Sequence, residues 1–213
     1  MLASTGAIAA PASDWAFEPK LDGWRVLVYV SDKLEVRTRG GHDVVVAVPE
    51  LESLVAALGG RQAVLDGELV ARQGRPWDFY RLGPRLAAGK PEAVARQRAR
   101  TAITLAIFDV LELDDHSLVA LPYGERRRRL EELDLTGSAW CAVSSFVGLG
   151  PELIVACAQL GLEGLVAKRL DSRYRPGERS KDWVKVKRPD WQATHAPRRL
   201  DDVQRRRRGV RKS

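Results

Sequence analysis

Seven residues, Trp24 to Val30 (WRVLVYV), alternate apolar side chains with others that tolerate water, and Leu34 to Thr38 resume the pattern after only Ser31-Asp32-Lys33. Period-two alternation marks a half-buried strand. A three-residue connection joins only antiparallel neighbours, because a parallel pair needs a crossover of a dozen residues or more. The chain therefore holds a β-hairpin, and the sheet built on it is antiparallel at its start. Further strands are expected at 63–71, 103–113, 164–168 and 183–187, the second apolar on both faces where it begins. Helical patterns fall at 49–58, 78–88, 91–100, 122–133 and 151–160, with a break in the second at Gly83-Pro84. Strands mixed irregularly with helices specify an α+β fold and not a doubly wound parallel sheet. No internal repeat is visible, and 1–14 read as a loose N-terminal extension.

A chain of 213 residues buries a core as one large domain or two small ones. Its two cysteines, Cys141 and Cys157, stand apart, which argues against a disulfide framework, a zinc site or an extracellular address. No apolar run approaches the ~20 residues that cross a bilayer. The alanine-rich start lacks the basic segment of a secretory signal. The formal charge is +7, but 1–187 hold 26 Lys+Arg against 25 Asp+Glu while 188–213 hold 9 against 3. Nearly all the excess lies in the tail, so 189–213 are expected to form a flexible basic arm. That arm is either a solubilising terminus or a contact with nucleic-acid phosphates. Arg126 to Arg129, interleaved with Glu125, Glu131 and Glu132 at helical spacing, read as a solvated helix face and receive no site. The histidines, His42, His116 and His195, occur singly near turns or in the tail, and none is assigned to catalysis.

Chemistry is most concentrated in Glu18-Pro19-Lys20-Leu21-Asp22-Gly23-Trp24-Arg25, a lysine in the turn before the first strong strand. An amine attacks phosphorus only when deprotonated, which desolvation or a neighbouring cation such as Arg25 promotes. Asp66-Gly67-Glu68 sit inside a strand, where carboxylates are disfavoured unless they meet water, a hydroxyl or a metal. Asp66 reads as support for the turn rather than a ligand contact. Phe108-Asp109 offer a ring able to stack on a base, although such a ring is also ordinary core. Glu163 precedes the apolar strand ending in Lys168. Lys185 and Lys187 share one strand face by period two, with Val184 and Val186 on the other. Like charges so placed repel unless an anion lies between them, and a triphosphate is such an anion.

These stretches, in this order, resemble the five motifs of the nucleotidyltransferase domain of ATP-dependent DNA ligases. The wording from Glu163 to Arg169 and from Asp171 to Gly177 is similar to the bacterial ligases of end joining and repair. The likeness runs from about Trp15 to Arg188, and Arg39 resembles the additional arginine after the second strand. It implies an ATP-grasp-like nucleotidyltransferase domain over 15–188, of mainly antiparallel sheets flanked by helices. One departure is large, since only 26 residues follow Lys187. No OB-fold domain with a sixth motif fits there, and whether the chain is a full gene product or a fragment is not written in it.

The resemblance implies that Lys20 attacks the ATP α-phosphate to form lysyl-AMP, that AMP passes to a 5′-phosphate, and that a 3′-hydroxyl then seals the nick. It places Glu18 near the adenine amino group, Phe108 on the ring and Glu68 at the ribose hydroxyls. Arg25, Arg39, Lys185 and Lys187 would hold phosphates, and Glu163, with Glu68, a divalent Mg2+ or Mn2+. The partner it implies is nicked or broken double-stranded DNA in the cytoplasm, at the nucleoid, with a separate clamp or end-joining protein supplying the missing function, no membrane, and an unknown oligomeric state. Two other readings stay open: an RNA ligase or capping-type nucleotidyltransferase, and a non-catalytic DNA-end-binding module.

Overall fold

Two mainly antiparallel sheets pack inner face to inner face in the computed structural model, which describes residues 1–6, 8–9, 11–72, 79–188 and 191. The strands are β1 (Leu2–Thr5), β2 (Trp15–Pro19), β3 (Trp24–Val30), β4 (Leu34–Thr38), β5 (Ala63–Ala71), β6 (Ile103–Leu113), β7 (His116–Ser117), β8 (Trp140–Ala142), β9 (Phe146–Val147), β10 (Gly164–Arg169) and β11 (Arg179–Lys187). The α-helices are α1 (Leu54–Ala57), α2 (Leu82–Leu86), α3 (Pro91–Arg100), α4 (Tyr123–Glu132) and α5 (Gly150–Gln159). One sheet has the order β1-β11-β10-β2-β9 and the other β4-β3-β5-β6-β7, with β8 beside β6. The parallel pairings are β1 on β11 and β8 on β6. The fold class is the expected α+β.

Side-chain alternation assigns each strand two jobs. In β3, Val26, Val28 and Val30 enter the larger core with Leu51, Leu54, Leu82 and Leu130. Arg25 and Leu27 turn instead toward the opposite sheet. In β11, Val184 joins Trp15, Phe17, Leu165 and Cys157 beneath α5, whereas Trp183 joins Met1, Leu111 and Tyr174 between the sheets. That inter-sheet layer also carries charge. Arg25–Asp66 (2.6 Å), Lys168–Glu18 (2.7 Å) and Arg126–Asp109 (2.9 Å) are ion pairs interleaved with Phe108, Tyr123, Tyr174 and Trp183. Buried ions persist only when paired and hydrogen-bonded, and here each cation meets one carboxylate.

Several expectations are corrected. The start is not loose. Leu2–Thr5 add a strand to β11, Met1 is buried, and Arg179 Nη1 donates to the Ala3 carbonyl (2.6 Å). Four small or apolar residues show no alternation, so only their tertiary partner reveals them. Strand β2 escaped for a related reason, being buried on both faces. Arg126 is not on a solvated face. Its side chain is fully buried and forks onto Asp109, while Arg128 and Arg129 on the same helix stay in solvent. Helix 49–58 is split into a 3-10 turn (Pro49–Leu51) and the single α-turn α1. No break occurs at Gly83-Pro84, because Pro84 lies in the first turn of α2, where its missing N–H costs nothing. Strand β11 starts at Arg179, four residues before Trp183, since β1 pairs with that extra length. Asp78 and, Trp191 apart, the basic segment 189–213 lie outside the described residues, as does His195.

Candidate active site

Lys20 follows β2 directly, and its backbone N–H donates to the Gly164 carbonyl (2.8 Å), fixing the turn to the start of β10. Gly164 is needed there, because a Cβ would lie 2.1 Å from the Val186 carbonyl oxygen. Gly23, closing the same turn, lies so close to β5 that a Cβ would stand 2.2 Å from the Leu69 carbonyl oxygen. Its amide donates to Glu68 Oε1 (3.1 Å). The glycine in Asp22-Gly23 thus serves close strand approach as well as the turn.

Lys20 Nζ is paired with Glu163 Oε2, and Lys187 Nζ lies 2.6 Å from Glu163 Oε1. Burial would raise the pKa of this carboxyl, but the hydrogen bonds and charges of Lys187 and Lys20 hold it below the usual carboxylate range. Lys185, on the same strand face as Lys187, opens into the cleft. Its pKa is lowered by burial and then by the charges of Lys20 and Arg179. Burial pushes Glu68 up to about 7, against the opposing pull of the Gly23 amide and Arg25.

A cleft of about 630 Å³ runs beside Lys20 and is lined by Glu18, Arg25, Arg39, Glu68, Phe108 and Lys185 among others. Seven of the nine residues singled out from sequence, Lys20 included, therefore share one cavity wall. Glu163 and Lys187 stand behind Lys20 and reach it through the ion pairs. The cleft floor is buried: Glu18 accepts from Tyr123 Oη and pairs with Lys168, whose Nζ also donates to the Phe108 carbonyl (2.9 Å). That ammonium lies 4.4–4.8 Å from the ring centres of Trp183, Phe108 and Tyr123. Phe108 is half-buried and meets Trp183 edge-on (6.2 Å), so it is part of the cavity wall and not plain core.

Arg25 behaves differently from the expectation of a free phosphate-binding cation. Nε and Nη2 fork onto Asp66 (2.9 and 2.6 Å), Nη1 donates to the Met1 carbonyl (2.6 Å), and Nη2 also approaches Tyr174 Oη (3.2 Å). Burial opposes its charge, but Asp66 overrides this and raises the guanidinium pKa. Asp66 is thus the supporting carboxylate expected of it, completed by Tyr174 Oη at 2.7 Å. Sequence reasoning missed Lys168, Trp183, Arg179 and Tyr123. The first two lie within the quoted stretches and could have been found by extending the period-two face of each strand. Tyr123 gives no local signal.

Among the described residues no three His, Cys, Asp or Glu side chains converge as a closed metal cage. Glu68 lines the cleft, and Glu163 behind Lys20 would turn to it once its pair with that lysine opens; two such oxygen donors are what Mg2+ or Mn2+ takes when phosphates and water complete its shell. The donor set fits such an ion. Among the described residues no helix is long and apolar enough to cross a membrane.

Comparison with known proteins identifies the family. The family described as ATP dependent DNA ligase domain matches residues 1–187. The multifunctional non-homologous end joining protein LigD of Mycolicibacterium smegmatis is 37% identical over 191 residues, covering 88% of this chain and 23% of that protein. A DNA ligase of Thermococcus onnurineus is 34% identical, covering 85% of this chain and 33% of its own length. The chain thus spans about a quarter to a third of these relatives. Among solved structures, the ligase domain of M. tuberculosis LigD superposes with a TM-score of 0.72 at 34% identity, over 87% of this chain and 59% of that one. A mycobacterial DNA ligase D complexed with ATP and MES gives 0.71, over 87% and 58%. An archaeal ATP-dependent RNA ligase, at 18% identity and 0.51 over 85% and 44%, shares the fold alone.

Proposed function

The chain belongs to the ATP-dependent DNA ligase family, and on that premise we propose that it carries the nucleotidyltransferase chemistry of nick sealing. Lys20 Nζ, once it has shed a proton, attacks the α-phosphorus of ATP. The N–P bond forms, the bond to the β-phosphate oxygen breaks, and pyrophosphate leaves. AMP then passes to the 5′-phosphate of nicked or broken duplex DNA, and the 3′-hydroxyl displaces it. Residues 15–188, with the β1 strand added, form the unit that does this.

The observation that carries the proposal is the placing of Lys20 between the Glu163–Lys187 pair and Lys185, at the side of a cleft with a buried Glu18–Lys168 floor. In this reading Phe108 stacks on adenine, Glu18 accepts from its amino group and Glu68 holds the ribose. Lys185 and Arg39 neutralise phosphate oxygens, which is the electrostatic assistance phosphoryl transfer requires. Arg25, committed to Asp66 and Met1, contributes the field of its charge and at most one spare N–H. Glu163 and Glu68 would hold the divalent ion, which neutralises charge building on the phosphates. For Lys20 to attack, its pair with Glu163 must open, since a nitrogen held through its protons on a carboxylate presents no lone pair to phosphorus. The site of action is the cytoplasm, on chromosomal DNA, with an end-joining protein as the expected partner.

A pure end-binding module needs neither a nucleophile nor a base-sized floor, so the cleft favours the enzyme. The test is incubation with labelled ATP and Mg2+, followed by a search for acid-labile, base-stable label on the protein. Wild type should be labelled and Lys20→Ala should not, with the fold unchanged. Equal labelling of the variant, or none of the wild type, sinks the proposal.

A further inference from the structure

The turn after β4 presents two side chains, Arg39 and His42, with no partner among the described residues. Thr38 N–H bonds the His42 carbonyl (2.9 Å), Gly41 N–H bonds the Thr38 carbonyl (2.8 Å), and Gly41 sits at φ +81°. The next pair outward, Arg37 and Asp43, is an isolated bridge. This closes a stiff turn that carries Arg39 and His42 on the cleft wall. The His42 ring lies over Gly40, with Cδ2 3.3 Å from where a Cβ would stand, so glycine at 40 makes room for it.

Burial separates the depths of the cleft. Glu18, Lys168 and Trp183 at the floor are 1–2% exposed, whereas Arg39, His42 and Arg179 are exposed at the mouth. Lys20 and Lys185 stand between. A nucleotide seated base-down with its α-phosphate at Lys20 therefore has its outer phosphates at the mouth. Among the described residues neither Arg39 nor His42 spends its side-chain donors on the protein.

We propose that His42 is a substrate-contacting residue that, beside Arg39, donates a hydrogen bond to phosphoryl oxygens lying beyond the α-phosphate position. The inference rests on the nucleotidyltransferase reading and extends it to a residue the sequence left unassigned. Two sources present that chemistry at the mouth: the pyrophosphate half of ATP and the 5′-phosphate of a broken strand. A hydrogen bond to a charged oxygen is among the stronger polar contacts, so its loss is expected to cost about tenfold in affinity or rate.

The test compares wild type, His42→Ala and His42→Gln in the full chain, by three readouts. These are calorimetric binding of inorganic pyrophosphate, formation of labelled adduct from ATP, and sealing of a nick that already carries 5′-AMP. His42 is exposed, so the variants should melt with wild type. A loss of about tenfold in the first two readouts for His42→Ala, partly restored by His42→Gln, identifies pyrophosphate as the source. A loss confined to the pre-adenylylated nick identifies the 5′-phosphate. Values within twofold of wild type in all three overturn the proposal. A wild type that forms no adduct yet binds pyrophosphate through His42 would retire the nucleotidyltransferase reading while supporting the His42 contact.

Discussion

Replacing Arg126 by Met should be among the most damaging single changes on α4, although Arg128 and Arg129 in the same arginine run are nearly dispensable. Nε and Nη2 of Arg126 bond Asp109 Oδ1 and Oδ2 (both 2.9 Å), and Nη1 bonds the carbonyls of Leu121 (2.7 Å) and Ser172 (3.1 Å). Methionine fills part of the volume but strands the Asp109 carboxylate, which among the described residues keeps only the Val110 amide (3.0 Å). Breaking one side of a fully buried pair costs about 3–5 kcal/mol. With a urea m-value of about 2 kcal/mol/M, the midpoint should fall by roughly 2 M. Two further measurements separate this cause from general damage. Asp109→Leu added to Arg126→Met should recover most of the loss, because the stranded charge is gone. Arg128→Met, whose partners Glu125 and Glu132 are solvated, should change stability by less than about 0.5 kcal/mol. A midpoint for Arg126→Met within about 0.5 M of wild type, or a double variant no better than the single, would refute the reasoning.

Gly23→Ala should lose about 1–3 kcal/mol by overpacking against Leu69, and slow adduct formation at least tenfold by moving Lys20; thermal melts and labelled ATP measure both. Glu68, pushed up to about 7 by burial against an ordinary value near 4.3, favours the folded state in its protonated form. Its contribution is therefore full below about pH 4.3 and is lost as pH rises through about 7, so wild type should lose stability relative to Glu68→Gln between pH 5 and 7.5. Parallel urea curves across that window would contradict this. Deleting Arg198 to Ser213 should weaken binding to duplex DNA and flatten its log-log salt dependence by up to about 0.9 per phosphate contact removed; an unchanged slope means the tail does not touch DNA.

What the sequence made legible was what local chemistry encodes. Period two in Trp183 to Lys187 separated the two lysines from the two valines, and the fold keeps that separation, with Lys185 toward the cleft and Val184 in the core under α5. The hairpin of β3 and β4 formed as expected, with Val30 opposite Leu34. Strands β1 and β2 were illegible because neither alternates. One is too short for a pattern and the other is buried on both faces. The charges failed for a different reason: Arg126 and Arg128 are the same residue type on one helix, and only the distant Asp109 distinguishes them.

That distant pairing has a consequence for how the cleft is held. A polar site between two sheets needs a layer that is neither apolar core nor bulk water, and the three pairs provide it with each cation matched to a carboxylate. Glu18 belongs to both systems, being cleft floor and the counter-ion of Lys168. A nucleotide that uses the floor therefore meets a carboxylate whose orientation is already fixed by Lys168 and Tyr123, so little ordering remains to be done on binding. Removing Lys168 would remove that orientation and strand Glu18 in one step, which couples recognition of the base to the stability of the inter-sheet layer. The same coupling does not reach the mouth, where Arg39 and His42 lean on no buried partner among the described residues and can be changed without disturbing the fold.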